Sequence, residues 1–302
     1  MSETEPYIVC SVLNWNNYED TRECIESLLG VTYPNLEVLL VDNGSMDDSG
    51  RRLAKEFPEI STLFLDENLG FGPGHNRGVR WATERSADYV MMVNNDVTFS
   101  TDQLFEGLVE TMEADPDIGI LTPQVYTGLE GRECHFRRGV IRHETATPDY
   151  EYPPVEAGSD LIDNDYVPFI AALIRPAVFE RVGLYPEEYF MYYGDLDYCT
   201  RITRAGFAIK TYLPGRVYHG VSNTSGGSIA PIRSYYNMRN RFIFARNFPT
   251  LVDSASFYPH ILRYLCYQTA RRVYHAEFAG LVALLRGAFD GLAGKTGKGP
   301  YP

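Results

Sequence analysis

Residues 90–99 read VMMVNNDVTF. Val90–Val93 have the character of a buried strand. Asn94, Asn95 and Asp96 end it without a transition, and Val97-Thr98-Phe99 then resumes. Two readings compete. Asn and Asp are common turn residues, because they hydrogen-bond their own backbone and tolerate left-handed conformations. In open α/β sheets, however, ligands bind in the crevice outside the carboxyl ends of the strands. A strand that stops in two amides and a carboxylate would present oxygen ligands at that place.

The upstream sequence argues for the second reading. YIVCSVL (7–13), LEVLLV (36–41), STLFL (61–65) and DYVMMV (88–93) read as short buried strands. Between them YEDTRECIESLLG (18–30), a segment running to Phe57 and stopped by Pro58, and HNRGVRWATERS (75–86) have helical spacing, the first ending in Gly30 as a C-cap. Strands alternating with helices of this length predict βαβ units and a parallel sheet. Three of the first four strands end in polar clusters: Asn14-Trp15-Asn16-Asn17, Asp42-Asn43-Gly44-Ser45 and Asn94-Asn95-Asp96. In a parallel sheet these ends share one edge, and three together suggest a site.

After about residue 115 the alternation stops. IGILTPQVY (118–126), ECHFRRGVIRH (133–143) and DYVPFIAALIRP (165–176) look like strands without regular crossover helices. EYPPVEAGSDLIDND (151–165) reads as a polar, Pro-containing loop, DYCTRITRAG (197–206) as a helix, and the chain from Ile232 onward as mostly helical. This divides the chain into residues 1–115, residues 116–232 continuing the same sheet, and residues 233–302, a helical basic region.

The 302 residues are 44% hydrophobic and 22% charged, an ordinary globular composition. The polar start Met1-Ser2-Glu3-Thr4-Glu5 lacks a signal-peptide pattern, and no charge-free apolar run reaches the roughly eighteen residues of a membrane span. Five scattered cysteines without Cys-x-x-Cys point to reduced thiols, a cytosolic setting and no zinc site. A net charge of −13 argues against nucleic acid as a partner. Lysine is scarce, with Lys55, Lys210, Lys295 and Lys298 the whole complement, and a carboxylate-rich, lysine-poor composition suggests a salt-adapted host. Residues 233–302 carry ten Lys/Arg against three Asp/Glu, and the remainder 17 against 37, so a basic region of +7 adjoins a body of −20.

Gly70-x-Gly72-x-Gly74 between the third and fourth strands is a weak dinucleotide signal. It follows the third strand and lacks the Gly-x-Gly-x-x-Gly spacing, which disfavours a nicotinamide dehydrogenase. It reads instead as a loop entering a helix.

Taken in order, SVLNWNN (11–17), YPNLEVLLVDNGSMDDS (33–49), ENLGFGPGHNRG (67–78), DYVMMVNNDV (88–97), the stretch from Phe169 to Phe207, YLPGRVYHGVSNTSG (212–226) and YYNMRNRFIFARN (235–247) resemble family 2 inverting glycosyltransferases, closest to their rhamnosyltransferase-like branch. The resemblance implies an α/β fold of the GT-A (Rossmann-like) type: a mostly parallel sheet flanked by helices, with a helical C-terminal extension. It also implies roles. Asp42 recognises the nucleotide base, with the Leu13 backbone and the Trp15 ring beside it, and Asn68, Asn76 and Asn95 line the nucleotide-sugar pocket. Asn94-Asn95-Asp96 stands where the family has Asp-x-Asp, so Asp96 holds Mn²⁺ or Mg²⁺ on the diphosphate, although Asn94 replaces an acid. His219 is a candidate second ligand, against the commoner structural role of a lone histidine.

Within the Phe169–Phe207 block, Asp195 falls on the general base, and Gly194 stands where a Glu is usual. That departure either opens space for the acceptor or weakens the site. Asp197 is read as capping or orienting the following helix. The implied activity is inverting transfer of a sugar from a nucleotide sugar to a glycan or a dolichol- or polyprenyl-phosphate-linked saccharide. The competing class is a non-catalytic nucleotide-sugar-binding or assembly protein, whose support is Gly194 and the lone acid of Asn94-Asn95-Asp96. A glycoside hydrolase also needs two carboxylates, but leaves the Asp42 and Asp96 strand ends without a role. From Tyr274, the residues Phe278, Leu281, Leu285, Phe289 and Leu292 recur at helical spacing, flanked by Arg271, Arg272 and Arg286. This face is expected either to rest on the inner face of the cell membrane or to pack on the protein's own core.

Overall fold

The computed structural model describes residues 5–99, 103–127, 133–154, 158–220 and 231–301. Its elements run β1 (Ile8–Asn14), α1 (Tyr18–Leu29), β2 (Leu36–Asp42), α2 (Ser49–Glu56), β3 (Ser61–Phe64), α3 (Phe71–Thr83), β4 (Tyr89–Asn94), β5 (Val97–Phe99) and α4 (Leu104–Ala114). Then follow β6 (Ile118–Thr127), β7 (Glu133–Phe136), β8 (Arg138–Arg142), β9 (Thr147–Glu151), β10 (Leu161–Asp163), β11 (Ala171–Ile174), α5 (Pro176–Val182), α6 (Gly194–Arg204) and β12 (Ala208–His219). The chain closes with α7 (Pro231–Asn247), α8 (Ser254–Tyr274) and α9 (Phe278–Leu292).

A sheet of 10 strands in the order β10-β12-β6-β11-β4-β1-β2-β3, with β5 on β12 and β7 on β6, spans the molecule. β1 lies parallel to both β2 and β4, with Leu13 opposite Val41 and Asn94. β11 runs antiparallel between β4 and β6, and β12 is parallel to β6. The ends of β1, β2, β4 and β12, namely Asn14, Asp42, Asn94 and His219, therefore share one edge. Alternate residues explain why the first strands are apolar throughout. Val9, Leu39, Val41 and Val90 pack with Val79 and Ala82 of α3, while Ile8, Cys10, Val12, Leu40 and Met91 join the main core on the other face.

Four expectations need correction. Of the glycines read as a loop entering a helix, only Gly70 belongs to the loop, as the residue before α3, while Gly72 and Gly74 already lie in the first turn of α3. There the helix leans on β1 so closely that a Cβ at Gly78 would overlap the Ser11 hydroxyl. The stretch 151–165 contains the end of β9 and all of β10, whose pairing with Lys210–Tyr212 is long-range and leaves no local trace. Its residues 155–157 lie outside the described residues. The strand expected over 165–176 is confined to Ala171–Ile174. In the C-terminal region the small residues of α9, together with Leu284, face the protein. Gly280, Ala283, Gly287, Ala288 and Gly291 are buried, and a Cβ at Gly287 would overlap the Tyr235 carbonyl of α7. Close helix approach thus selects glycine and alanine and turns Phe278, Val282, Leu285, Phe289 and Leu292 outward, each 47–68% exposed. Leu281 is half-buried, and Arg272 is buried rather than flanking the stripe.

Candidate active site at the carboxyl edge of the sheet

The β1, β2 and β4 ends are joined by one hydrogen-bonded chain. Asn95 Nδ2 donates to Thr21 Oγ1 (2.8 Å), which donates to Asn14 Oδ1 (2.9 Å), and Asn14 Nδ2 donates to Asp42 Oδ1 (2.9 Å) and Ser49 Oγ (2.9 Å). Ser45 also donates to Asp42 Oδ1. Among the described residues Asp42 Oδ2 makes no hydrogen bond, so one carboxylate oxygen fixes the side chain and the other is left for a partner. Asn16, held at φ 50°, stitches the loops after β1 and β2 together by accepting from Met46 N (2.7 Å). Half-buried Trp15 sits in this loop. Asn14 carried no assigned role in the sequence reading, yet it is the hub of the cluster.

The loop before α3 is shaped by Asn43, another residue the sequence did not single out. Its Nδ2 donates to Asn68 Oδ1 (3.0 Å) and Gly70 O (3.2 Å), while its Oδ1 accepts from Leu69 N (3.0 Å). Asn68 thereby belongs to the loop's scaffold through Oδ1. Asn76 departs from expectation. It is fully buried, donates to Tyr185 O (2.9 Å) and Glu187 Oε1 (3.0 Å), and accepts from Tyr185 N (3.1 Å). With its amide satisfied inside the protein it clamps the segment ahead of α6 instead of lining an open pocket.

β12 brings His219 to Asp96, with Nε2 3.0 Å from Oδ1 and the Asn94 amide 3.5 Å away. His135 of β7 stacks on His219 with ring centroids 6.1 Å apart, and burial, with His219 beside it, lowers its imidazole below the ordinary range. Val221–Gly226, the rest of this motif, lie outside the described residues. No group of three or more His, Cys, Asp or Glu that could hold a metal by itself occurs among the described residues. The pair nevertheless fits a substrate-assisted site. It sets one carboxylate and one imidazole side by side at the sheet edge, and hard divalent ions take one or two carboxylates with substrate phosphate and water in the remaining positions.

Asp195 is the second residue of α6. Tyr192 (φ 60°) and Tyr193 (φ 69°) before it both adopt left-handed backbone, a costly arrangement that persists only where its surroundings enforce it. The enforcement comes from α7. Asn240 Nδ2 donates to the carbonyls of Met191 (2.7 Å) and Tyr192 (2.9 Å), and Arg241 Nε donates to the Tyr193 hydroxyl (3.1 Å). Asp195 Oδ2 accepts from Tyr166 (3.3 Å), whose ring stacks on Tyr150. Tyr166 leads toward β11, just ahead of which Ile170 O accepts from Asn94 N (2.9 Å), so the chain around Asp195 joins the β4 end. Burial pushes the Asp195 carboxyl up to about 6, against the opposing pull of the Leu196 N–H and the Tyr166 hydroxyl.

Asp197 does not cap the helix. It is fully buried and binds Arg201, Tyr189 (2.9 Å) and Asn247 (3.0 Å), which orients α6 against α7. Nor does Gly194 open space. A Cβ on Gly194 or on Gly72 would overlap the ring of Tyr185, which is wedged between them.

A model of Glycosyl transferase family 2 matches residues 10–182. The chain is 21% identical over 297 residues to the low-salt glycan biosynthesis hexosyltransferase Agl10 of Haloferax volcanii, covering 95% of this chain and 91% of that protein. It is 26% identical over 225 residues to the N-acetylglucosaminyl-diphospho-decaprenol L-rhamnosyltransferase of Mycobacterium tuberculosis, covering 67% of this chain and 72% of that one. Among solved structures, GalNAc-T7 with UDP, GalNAc and Mn²⁺ superposes with a TM-score of 0.61 at 13% identity, over 72% of this chain and 44% of that one. The fold shared with these neighbours is GT-A.

Proposed function

The chain belongs to glycosyl transferase family 2, and from that premise we propose that it moves a sugar from a nucleoside diphosphate sugar to a hydroxyl of a glycan or lipid-linked saccharide, with inversion and with Asp195 as general base. The observation that carries this reading is the placement of the Asp195 carboxylate, which accepts from Tyr166 (3.3 Å) at the start of α6 on a turn that Asn240 of α7 pins; burial raises it to about 6. A base with a pKa near the working pH combines sufficient ionisation with proton affinity. Asp195 takes the proton of the acceptor hydroxyl while that oxygen attacks the anomeric carbon, and the bond to the diphosphate breaks with its electron pair leaving on the diphosphate oxygen. Tyr166 holds the carboxylate in place. Asn240 and Arg241 keep the turn before it rigid.

On the donor side, Asp42 presents its free oxygen to the base beside the Leu13 backbone and Trp15, while Asn95 and Asn68 steady the walls of the pocket. Asp96 and His219 would hold Mn²⁺ or Mg²⁺, which when bound neutralises charge on the departing diphosphate. The Mn²⁺ named with one structural neighbour supports a divalent ion in this role.

The diphospho-decaprenol in one relative's name supports a lipid-linked acceptor. So does the outward face of α8 and α9, where Tyr258, Leu262, Tyr274, Phe278, Phe289 and Leu292 are exposed, with Arg263 of α8 also in solvent. Among the described residues no helix is long and apolar enough to cross a membrane. In this reading α8 and α9 lie on the cytoplasmic membrane face. The function is tested by a thermal-shift screen of nucleotide sugars with Mn²⁺, followed by hydrolysis and transfer assays with and without acceptor. Stabilisation by one nucleotide sugar with acceptor-dependent turnover is expected. Stabilisation without any turnover would establish a binding protein instead.

A further inference from the structure

Three arginines converge where α7, α8 and α9 meet. Arg233, Ser234, Asn237 and Arg241 line one face of a cavity of about 200 Å³, and Tyr264 and Arg272 close it. Arg241 and Arg272 are only 9% and 3% exposed. Arg272 donates to Ser234 Oγ (3.0 Å) and Gly280 O (3.3 Å), and Arg241 to Tyr193. Arg272 Nε and Arg241 Nη1 are buried without a hydrogen-bond partner. Among the described residues no carboxylate lies within 4.0 Å of Arg233, Arg241 or Arg272. The helices themselves explain this. α7 and α8 contain no Asp or Glu, and the single acid of α9, Asp290, is engaged by Tyr235 (2.8 Å) and Lys295 (2.7 Å). Glu277, between α8 and α9, donates its N–H to Arg272 O (2.8 Å) and keeps Oε2 buried without a hydrogen-bond partner, but among the described residues its carboxylate pairs with none of the three arginines.

A buried guanidinium without a counter-charge is costly; the Tyr264 ring, 4.8 Å from Arg241 Cζ, offsets only part of that for one of them, and two with orphaned N–H groups beside one cavity call for an anion. We propose that this cavity binds a phosphate or diphosphate group of the acceptor. Arginine forks match phosphate oxygens bidentately. The volume is smaller than the roughly 300–1,000 Å³ of pockets that take whole small molecules, so it suits a phosphate group rather than a nucleotide sugar. Its position agrees. Arg241 bonds Tyr193 and Arg233 lies over the Tyr192 ring at 5.7 Å, and both tyrosines immediately precede the helix that carries Asp195. The helices closing the cavity carry the exposed apolar stripe on their outer faces, where a prenyl chain would lie. The proposal rests on the acceptor reading above and makes it specific: the acceptor is a saccharide joined through phosphate to a lipid.

The test measures binding, not turnover, so its failure is distinct from failure of the transferase reading. Inorganic pyrophosphate, farnesyl diphosphate and a nucleoside diphosphate are titrated into the full chain in metal-free buffer, which leaves the Asp96 site without its ion. Among the described residues half-exposed Arg233 makes no hydrogen bond, so Arg233→Gln gives up only its place over the Tyr192 ring, and Arg233→Lys keeps the charge. The expected result is farnesyl diphosphate binding that falls by about ten-fold or more in Arg233→Gln and is partly restored in Arg233→Lys. Nucleoside diphosphate binding, measured separately with Mn²⁺, stays unchanged. Wild-type affinity in both Arg233→Gln and Arg241→Gln overturns the proposal, as does absence of farnesyl diphosphate binding to the wild type. Pyrophosphate bound as tightly as farnesyl diphosphate overturns the lipid-linked source.

Discussion

Tyr185 occupies the volume beside Gly194: a Cβ there would stand 2.6 Å from the tyrosine hydroxyl oxygen. The residue type at 194 is thus fixed by the ring next to it. Gly194→Ala should destabilise the protein by about 1–3 kcal/mol, the usual cost of overpacking, although alanine is the better helix former. Tyr185→Leu should recover part of that loss in the double variant. Urea midpoints of the four proteins of this cycle measure the coupling, and strictly additive losses would show that the two positions do not compete for space.

Asp195→Asn should lower transfer by roughly 10²–10⁴ while nucleotide binding survives, because only proton removal from the acceptor is lost. In the wild type, kcat/KM should fall as pH drops through about 6, where Asp195 protonates. The same shift sets a stability trend. A carboxyl whose folded pKa lies above its ordinary value of 3.8 binds protons more tightly when folded. Its burial therefore costs stability above about pH 6, and that cost is relieved as pH falls toward 4. Asp195→Asn should be more stable than wild type at neutral pH by on the order of 1–3 kcal/mol. An inactive variant that is also less stable at pH 7 would mean that Asp195 serves the fold.

Asp197→Ala should behave in the opposite way. It leaves Tyr189, Asn247 and Arg201 without their shared acceptor and should cost about 2–4 kcal/mol, below the full value for a buried pair because Arg201 is partly solvated. Turnover of the protein that remains folded should stay within a few-fold of wild type. A loss as deep as that of Asp195→Asn, in folded protein, would move the base to Asp197.

Asp96→Ala and His219→Ala should weaken metal-dependent binding of the nucleoside diphosphate more than binding of the free nucleoside, whereas Asp42→Ala should weaken both alike. Calorimetry with and without Mn²⁺ separates the cases. Equal loss of nucleoside and diphosphate in Asp96→Ala would reduce that residue to a wall of the pocket.

Phe278→Glu with Phe289→Glu changes two side chains that are 60% and 68% exposed, so the fold should survive. Flotation with anionic liposomes should be lost in this variant. In the wild type it should persist at 1 M salt, where screening shortens electrostatic reach to about 3 Å and apolar burial must hold the protein. Wild-type protein that stays in solution at both low and high salt would end the membrane assignment.

The sequence alone determined the alternation of strands and helices, the shared carboxyl edge and the residues standing on it, because periodicity and turn chemistry are local and a parallel sheet places strand ends together by necessity. The motif order carried the family, and Asp42, Asp96 and Asp195 were named from it. Tertiary structure decided what distance along the chain conceals. Asn14 and Asn43 became hubs only when separate loops met. Asn76 turned inward because Tyr185 and Glu187 reach it from more than a hundred residues away. Gly194 was explained only by the ring beside it. The same holds for the C-terminal helices. An apolar stripe on α9 reads the same whether it faces the core or the solvent. Which one it faces depended on the close approach of α7, which admits glycines and alanines around Leu284 and leaves Phe278, Leu285, Phe289 and Leu292 outside.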